Sequence, residues 1–310
     1  MVVLAENNYG KSRVRLVHVK RRPEQHDLRE WTIDISLEGD FESCFVDGNN
    51  SKVLPTDTMK NTVYSLARSS SATCMEDFAQ ELIAHFLDQK PQVTRARAAI
   101  SEKPWEHLLA GTGPHPTTFV QSSGELQITD VGRNRNGGLS VISGLNNLLI
   151  LKTAGSEFVG FLKDSLTTLP EATDRLLGTS LSARWAYAPS VHSFQSLRSR
   201  IRGILVGVFA DHSSKSVQHT LYAMGEAALE QVSEIEDIQL SMPNKHCLLV
   251  DLSRFGQAKS GNVRKMCWLV APNWQLSAKL RAAFVERFYP RRCAIATAKS
   301  PPGLLPRALQ

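Results

Sequence analysis

The sequence lacks the features by which several common classes of protein are recognised. No apolar run approaches the roughly 18–20 residues of a membrane-spanning helix. The first residues, MVVLAENNYGK, have no basic stretch followed by an apolar core, so we expect neither a secretory signal nor a membrane partner. The chain also has no Gly-x-Gly-x-x-Gly fingerprint, no P-loop and no Gly-x-Ser-x-Gly elbow, which argues against the nucleotide-binding and hydrolase classes that depend on them.

Cysteine is scarce and scattered. The chain has 5 cysteines, at positions 44, 74, 247, 267 and 293, and no two of them form a Cys-x-x-Cys pair. An odd number without such pairing predicts reduced thiols rather than a disulfide framework. The 9 histidines include no His-x-His or His-x-x-x-His pair, a spacing from which metal sites often draw their ligands. The sequence therefore predicts no metal and no metal cofactor.

Positive charge is in excess, but only at one end. The formal net charge is +6, and a basic balance is typical of proteins that bind nucleic acid. Residues 1–251 carry 25 basic and 29 acidic side chains, whereas residues 252–310 carry 11 basic side chains and a single acidic one. We therefore expect no nucleic-acid partner for the main body of the chain. A nucleic-acid-binding protein that acts through its basic tail stays open as an alternative, with Trp268, Trp274, Phe284, Phe288 and Tyr289 as stacking platforms.

Apolar residues in the first half follow a strand pattern and then a helix pattern. Residues 31–37 (WTIDISL) alternate apolar and polar side chains, which predicts a strand with one buried face. Gly39-Asp40 predicts a turn into a short partner strand at 41–45. Two amphipathic helices are expected next, the first after Pro55-Thr56-Asp57 and the second before Pro91.

The second half repeats the order of the first. Short extended runs at 124–131, 139–142, 148–152 and 182–188 precede two long helical patterns, and residues 238–241 and 247–252 read as a hairpin around Pro243-Asn244. We therefore expect an α+β chain of two tandem units, each an antiparallel sheet with two helices on one face. The units span residues 1–130 and 131–252, and residues 253–310 are expected to be a divergent basic tail, either disordered or translated out of frame. Uncovered sheet faces and unpaired edges would favour association with further copies.

Several short groups of residues could carry chemistry. Thr56-Asp57 opens a helix, where backbone N–H groups favour an anion, although both residues are also common caps. Taken alone, Lys11 reads as a solvated lysine and Arg175 as a member of a surface ion pair. Residues 243–246 (PNKH) read as a turn with a satisfied histidine.

Together these groups resemble the urate oxidase (uricase) family. The matching segments come in the family's order, at about its spacing, over residues 9–252: 9–11 (YGK), 50–64 (NSKVLPTDTMKNTVY), 114–119 (PHPTTF), 156–161 (SEFVGF), 167–169 (TTL) with 173–177 (TDRLL), 216–222 (SVQHTLY) and 240–246 (LSMPNKH). The resemblance implies tunnelling-fold units that assemble into a barrel-like homotetramer. It also implies oxidation of urate by O2 and water to 5-hydroxyisourate and hydrogen peroxide, without any cofactor.

The resemblance also implies roles for individual residues. Substrate-binding positions would be Thr56, Asp57, Phe158, Arg175, Val217, Gln218 and Asn244. Among these, Arg175 and Gln218 would grip the purine, Phe158 would stack on it, and Asn244 would hold O2 or water. Lys11, Thr56 and His246 would form the catalytic proton relay, in which Lys11 and Thr56 remove a proton from urate. Lys11 and Thr56 would face Phe158, Arg175 and Gln218 of an adjacent subunit.

The resemblance weakens after residue 252, where residues 261–266 (GNVRKM) do not follow the family pattern. The end of the chain, Arg307-Ala308-Leu309-Gln310, is not the Ser-Lys-Leu signal for peroxisomal import. We therefore expect a cytoplasmic protein, with a peroxisomal location as the alternative if the tail hides such a signal. A relative of the same fold that acts on another purine or a pterin is the alternative among enzymes.

Overall fold

The computed structural model describes residues 2–111, 113–121, 123–189, 191–257, 264–267 and 277–282. The strands are β1 Tyr9–Lys20, β2 Asp27–Gly39, β3 Val93–Lys103, β4 Glu106–Ala110, β5 Gly113–Val120, β6 Leu126–Asn134, β7 Leu139–Lys152, β8 Leu177–Tyr187, β9 Ile235–Ser241, β10 Asn244–Leu249, β11 Arg264–Cys267 and β12 Ser277–Arg281. The helices are α1 Glu42–Val46, α2 Thr56–Ser69, α3 Met75–Gln89, α4 Phe194–Asp211 and α5 Val217–Gln231. Among the described residues, no helix is both long and apolar enough to cross a membrane.

Ten of the described strands form one antiparallel sheet. Its order is β1-β2-β3-β6-β7-β8-β10-β11, with β9 beside β8 and β12 beside β9, while β4 and β5 form a separate hairpin. The alternation in residues 31–37 is confirmed, because Trp31, Ile33, Ile35 and Leu37 are buried and the intervening residues are not. The α+β class with an antiparallel sheet is therefore confirmed.

The helices pack on one face of this sheet. Helix α2 packs against β1, α3 against β3 and β6, α4 against β7, and α5 against β9 and β12. The buried apolar side chains of the helices and strands join in one hydrophobic core. Each of the helices α2 to α5 buries a stripe at helical spacing, such as Phe78, Leu82 and Phe86 in α3. The two helical pairs predicted from periodicity are therefore confirmed.

The opposite face of the sheet is mainly polar on β2, β3 and β8, whereas Leu149 and Leu151 of β7 are exposed. On this face Asp130 of β6 accepts a hydrogen bond from Nη2 of Arg97 at 2.5 Å and lies 3.4 Å from Nη2 of Arg184. Glu38 of β2 pairs with Arg95 of β3 at 3.1 Å. Such cross-strand pairs stay hydrated, so this face does not need an apolar cover in the way that the helix-packed face does.

The segment after β2 is a helix rather than a strand. Residues 42–46 form α1, and Phe41 is fully buried with its ring edge-on to Tyr9 at 4.7 Å. The predicted partner strand at 41–45 is therefore wrong. Strand β2 pairs with β1 on one side and β3 on the other, so it has no free edge left for this segment.

The predicted hairpin around Pro243-Asn244 is also wrong. Strands β9 and β10 run in the same direction along one edge of β8, since Ser241 pairs with Ser182 and Asn244 pairs with Thr179. Pro243 lacks the N–H that a ladder requires, so it interrupts the strand without reversing it. Conversely, the runs at 139–142 and 148–152 are parts of one strand, β7, which shifts register at Asn147 with φ 60°.

Part of the chain after residue 252 belongs to the sheet. Strand β12 pairs along β9 from Ser277 opposite Ser241 to Arg281 opposite Asp237, and β11 pairs with β10. Residues 258–263, 268–276 and 283–310 lie outside the described residues, including the five aromatic residues considered as stacking platforms. The division into units stays a prediction, and its boundary at residue 130 falls within β6.

Candidate active site

The first predicted position lies on the edge strand β1. Lys11 sits opposite Ile35 of β2, immediately before a bulge at which Arg13 has φ 57° and donates its N–H to Oδ1 of Asp34 at 2.6 Å. Gly10 is needed here, because a Cβ at this position would lie 1.8 Å from the carbonyl oxygen of Ile35. The bulge thus sets the direction of the chain directly after Lys11.

Helix α2 begins beside this strand. Tyr9 accepts a hydrogen bond from the N–H of Leu54 at 2.8 Å, which ties β1 to the segment before the helix. The helix begins at Thr56, as predicted, but its N-cap is Pro55 and no side chain caps it. The interpretation of Thr56 and Asp57 as caps is therefore wrong, and the first N–H groups of the helix stay available to a ligand.

The carboxylate of Asp57, at the start of α2, interacts electrostatically with Lys11 of β1. Its carboxylate pairs with Lys60 and accepts a hydrogen bond from Asn61 at 3.1 Å. The ion pair with Lys60 holds the pKa of Asp57 below its ordinary value, with a smaller contribution from the charge of Lys11. Lys11, Thr56 and Asp57 therefore form one group, which we call the lysine group.

A second group is built around Ser156. Its carbonyl oxygen accepts the N–H of Arg175 at 2.7 Å, and it forms a parallel bridge with Ser214 just before α5. Phe158 pairs with Ala172 in the opposite direction. Three chain segments are thus bound to one another by backbone hydrogen bonds, and they carry Phe158, Arg175 and the start of α5.

Phe158 and Arg175 lie against each other. The guanidinium carbon of Arg175 is 5.2 Å from the ring centroid of Phe158, and the ring of Phe161 stacks on Phe158 at 4.8 Å with an angle of 13° between planes. Arg175 takes part in none of the ion pairs of the described residues, and its buried Nε has no hydrogen-bond partner. Burial lowers the pKa of Arg175. The surface ion pair considered from sequence is therefore wrong, and among the described residues a cation without an ion-pair partner faces an aromatic ring.

The start of α5 completes this part of the site. Ser216 is the N-cap, and its hydroxyl accepts the N–H of His219 at 3.1 Å. Val217 is buried and Gln218 is exposed at the first two helical positions. The neighbouring segments are bound together, because Ser214 accepts the N–H of Glu157 at 2.8 Å. Phe158, Arg175, Val217 and Gln218 form what we call the arginine group.

Asn244 and His246 approach the same region through the sheet. Asn244 pairs with Thr179, and the next residue pairs with Gly178, near the start of β8 and a few residues after Arg175. Nδ2 of Asn244 lies 3.5 Å from Nδ1 of His246. The predicted histidine is therefore in a strand with an amide neighbour, and the interpretation of residues 243–246 as a turn is wrong.

Within one chain, the two groups are at opposite ends of the sheet. The lysine group lies at the edge formed by β1, whereas the arginine group, Asn244 and His246 lie beside β8, β9 and β10. Helix α2 packs against β1 and α3, and α5 packs against α4, β9 and β12. No set of three or more His, Cys, Asp or Glu side chains suited to a metal ion occurs in the described part of the chain.

Comparison with known proteins identifies the family. The family model described as Uricase matches residues 7–132 and 141–266. The chain belongs to the uricase family. The uricase of Arthrobacter globiformis is 40% identical over 262 residues, covering 84% of this chain and 85% of that protein. The uricase of Oryctolagus cuniculus is 33% identical, covering 82% of this chain and 87% of that protein.

Solved uricase structures share the fold. The crystal structure of the Arthrobacter globiformis uricase has a TM-score of 0.84 and 36% identity, covering 91% of this chain and 96% of that chain. The crystal structure of a uricase from Bacillus fastidious has a TM-score of 0.75 and 25% identity, covering 89% of this chain and 93% of that chain. The family predicted from the motifs is confirmed. The match to the uricase model also continues past residue 252, where the resemblance read from sequence weakened.

Some residues beside the candidate site were missed in the sequence. Phe161, three residues after Phe158, was given no role, yet its ring stacks on that of Phe158. Lys152, His212 and His219 converge behind the start of α5. No spacing in the sequence indicates this cluster, because Lys152 comes from β7 and His212 from the end of α4. The one available signal in the sequence was that Phe161 is the second aromatic residue of the segment 156–161.

Proposed function

We propose that this chain is a cofactor-independent urate oxidase, which converts urate, O2 and water to 5-hydroxyisourate and hydrogen peroxide. The observation that carries the proposal is the contact between the ring of Phe158 and a half-buried Arg175 that has no ion-pair partner in the described part of the chain. A flat purine anion needs both partners, an aromatic face for stacking and a fixed cation with planar donors for its oxygen and ring nitrogen. Membership in the uricase family supports the same substrate.

The arginine group would bind the substrate. The guanidinium donates to one edge of the purine in a bidentate manner, and the amide of Gln218 contacts another edge. Val217 supplies the first N–H of α5, and the positive end of the helix dipole at this position favours an anionic ligand. Phe158 orients the ring without hydrogen bonds, and Phe161 holds Phe158 in place.

The lysine group would remove a proton from urate. A more electron-rich purine transfers an electron to O2 more readily, so deprotonation precedes oxidation. Thr56 relays the proton to Lys11, since a hydroxyl alone is a weak base. Thr56 and Asp57 sit at the uncapped start of α2, which favours the anionic substrate. Asn244 and His246, which lie close together, would hold O2 or water and complete the relay.

A complete site would need two subunits. The lysine and arginine groups lie at opposite ends of the sheet of one chain, so a neighbouring copy has to supply the missing group. We propose a homotetramer with active sites at subunit interfaces. The outer edge of β1, which pairs with no other described strand, and the mainly polar face of the sheet support a closed, barrel-like assembly, in which edges pair and the polar face surrounds a hydrated interior.

The decisive assay follows the ultraviolet absorbance of urate in metal-free buffer containing a chelator, with hydrogen peroxide measured in parallel. We expect one molecule of hydrogen peroxide to form for each molecule of urate consumed. Xanthine and a pterin serve as matched substrates for the same-fold alternative. A folded assembly that consumes no urate, or that requires an added metal, would contradict the proposal.

The interface is tested by mixing two inactive variants. Lys11→Ala and Arg175→Ala each remove one half of every site, so at urate concentrations well below KM each homotetramer should have little activity. Unfolding and reassembling the two together creates some sites with Lys11 from one chain and Arg175 from the other. We expect recovery of up to about a quarter of the wild-type activity by random assortment. Mixtures that stay as inactive as the separate variants would show that one chain supplies both groups.

A further inference from the structure

The first turn of α5 is held by side chains that the proposed reaction does not use. Nδ1 of His212, which follows the end of α4, lies 3.3 Å from Oγ1 of Thr220. Thr220 is fully buried in the first turns of α5. The ring of His212 also lies edge-on to the ring of His219, with centroids 4.4 Å apart. His212 therefore contacts the turn that carries Val217 and Gln218.

Positive charge surrounds His212. Nζ of Lys152, at the end of β7, donates to the carbonyl oxygen of His212 at 2.6 Å and lies 3.4 Å from the carbonyl oxygen of Phe209. This lysine caps the last turn of α4. The amino-terminal end of α5 adds the positive end of a helix dipole on the other side. A charged imidazolium at this position would stand between an ammonium group and that dipole.

Negative charge near His212 is already paired or solvated. Glu157, on the segment that binds Ser214, forms an ion pair with Lys215 at 2.7 Å. Asp211, the last residue of α4, has an exposed side chain. Nδ1 of His219 lies 3.4 Å from the backbone nitrogen of Lys215, as an acceptor of its N–H. Burial, then the charges of His219 and Lys152, hold the pKa of His212 below its ordinary value.

We propose that His212 is a positioning residue for urate, which as the neutral imidazole holds the first turn of α5 in place for Val217 and Gln218 to bind the purine. The inference rests on the proposed function. Protonation adds a cation beside Lys152 and the start of α5, and the repulsion displaces this turn. Substrate binding then weakens, whereas proton removal by the lysine group of the partner subunit is not directly affected.

The sign of the pH effect follows from linkage. When the first turn of α5 is in place, His212 binds a proton less readily than when the turn is displaced or the chain is unfolded. The state that binds urate is therefore less populated as the pH falls. If only the neutral form binds, the dissociation constant of urate rises about tenfold for each pH unit well below the pKa of His212. The effect belongs to binding, so it is expected in the dissociation constant and in KM rather than in kcat.

The test is an anaerobic calorimetric titration with urate, which measures binding without turnover, between about pH 4.5 and 8.5. This range reaches about two pH units below the ordinary histidine pKa, because the pKa of His212 is lowered. His212→Gln keeps a polar side chain that is neutral at every pH. The matched control is His85→Gln, because burial also lowers the pKa of His85, which lies on α3 in the first half of the chain. We expect the dissociation constant of the wild type and of the control to rise at acid pH, and that of His212→Gln to rise far less.

An equal rise in all three proteins would overturn the inference, since urate itself and other groups would then account for it. A second measurement keeps the inference testable if His212→Gln does not fold. In the wild type, NMR of histidine side chains gives the pKa of His212, assigned with His212→Asn, with and without anaerobic urate. Because linkage is reciprocal, bound urate must lower this pKa further, and an unchanged value overturns the inference. A protein that neither binds nor oxidises urate contradicts the proposed function instead.

Discussion

At the scale of single residues, environment decides what an ordinary side chain does. Arg175 would pass for a surface arginine in the sequence, yet it is half-buried, carries no ion pair among those of the described residues, and lies over the ring of Phe158. Lys11 reads as a solvated lysine, yet a bulge holds it close enough to Asp57 for its charge to affect that carboxylate. Both roles depend on neighbours that are distant in sequence.

Arg175 is expected to control substrate binding. Arg175→Ala should raise KM for urate about 10–100-fold, because hydrogen bonds to a charged group contribute about 1.5–3 kcal/mol each, with a smaller effect on kcat. Arg175→Lys should recover only part of the loss, since an ammonium lacks the planar fork. Steady-state kinetics measure both constants. Arg184→Ala is the control on the polar face, and an equal rise in KM there would argue against a specific role for Arg175.

Lys11 is expected to act on the chemical step. Lys11→Ala should lower kcat about 10²–10⁴-fold, the range typical of a lost acid–base group, while KM changes less. Lys20→Ala, at the exposed far end of the same strand, is the matched control. Wild-type kcat in the Lys11 variant would reject its place in the relay.

At the scale of elements, the corrections share a cause. Residues 41–45 form no strand because both edges of β2 are taken, and β9 and β10 form no hairpin because both follow the edge of β8. Alternation and helical spacing were read correctly in the long elements, since these patterns reflect which side chains face the core. A local pattern does not specify which strands pair, so the pairing could not be predicted from it.

The close approach of β1 to β2 gives a prediction for this pair. In Gly10→Ala the new Cβ meets the carbonyl oxygen of Ile35, so β1 has to shift, and overpacking of this kind costs about 1–3 kcal/mol. We expect a lower Tm in thermal unfolding and a loss of kcat through displacement of Lys11. In the control Gly132→Ala, nothing lies within 4 Å of the new Cβ. Equal Tm values for the two variants would refute the steric account.

At the scale of the whole molecule, a buried network joins the two halves of the chain. Glu76 of α3 pairs with Nη2 of Arg198 of α4 at 2.5 Å, and both side chains are buried. Glu76 also accepts a hydrogen bond from Ser143 of β7, and Arg198 donates to Gln127 of β6 at 2.6 Å. The helices of the first half are thus bound to those of the second across a single sheet.

Breaking this pair should destabilise the folded chain strongly. Arg198→Met leaves the carboxylate of Glu76 buried without its cation, and such a loss costs about 3–5 kcal/mol. The double variant Glu76→Met with Arg198→Met should recover most of that free energy of unfolding, because no uncompensated charge stays buried. Denaturant unfolding measures each value. Arg22→Ala removes an exposed pair with Asp27 and should change stability by at most about 1 kcal/mol; a similar change in Arg198→Met would contradict the role of burial.

The sequence by itself determined the family, the α+β class, the main helices and strands, and the residues proposed for the site. It could do so because motifs and periodicity are local, and each reports on nearby side chains. Only the tertiary structure decided that the two predicted sheets are one sheet, that residues after 252 add strands to it, and that the lysine and arginine groups stand at opposite ends. These facts depend on which distant strands pair, and antiparallel hydrogen bonding can join any two extended segments whose faces match. The separation of the two groups supports the proposal, implied already by the family resemblance, that two copies complete one site.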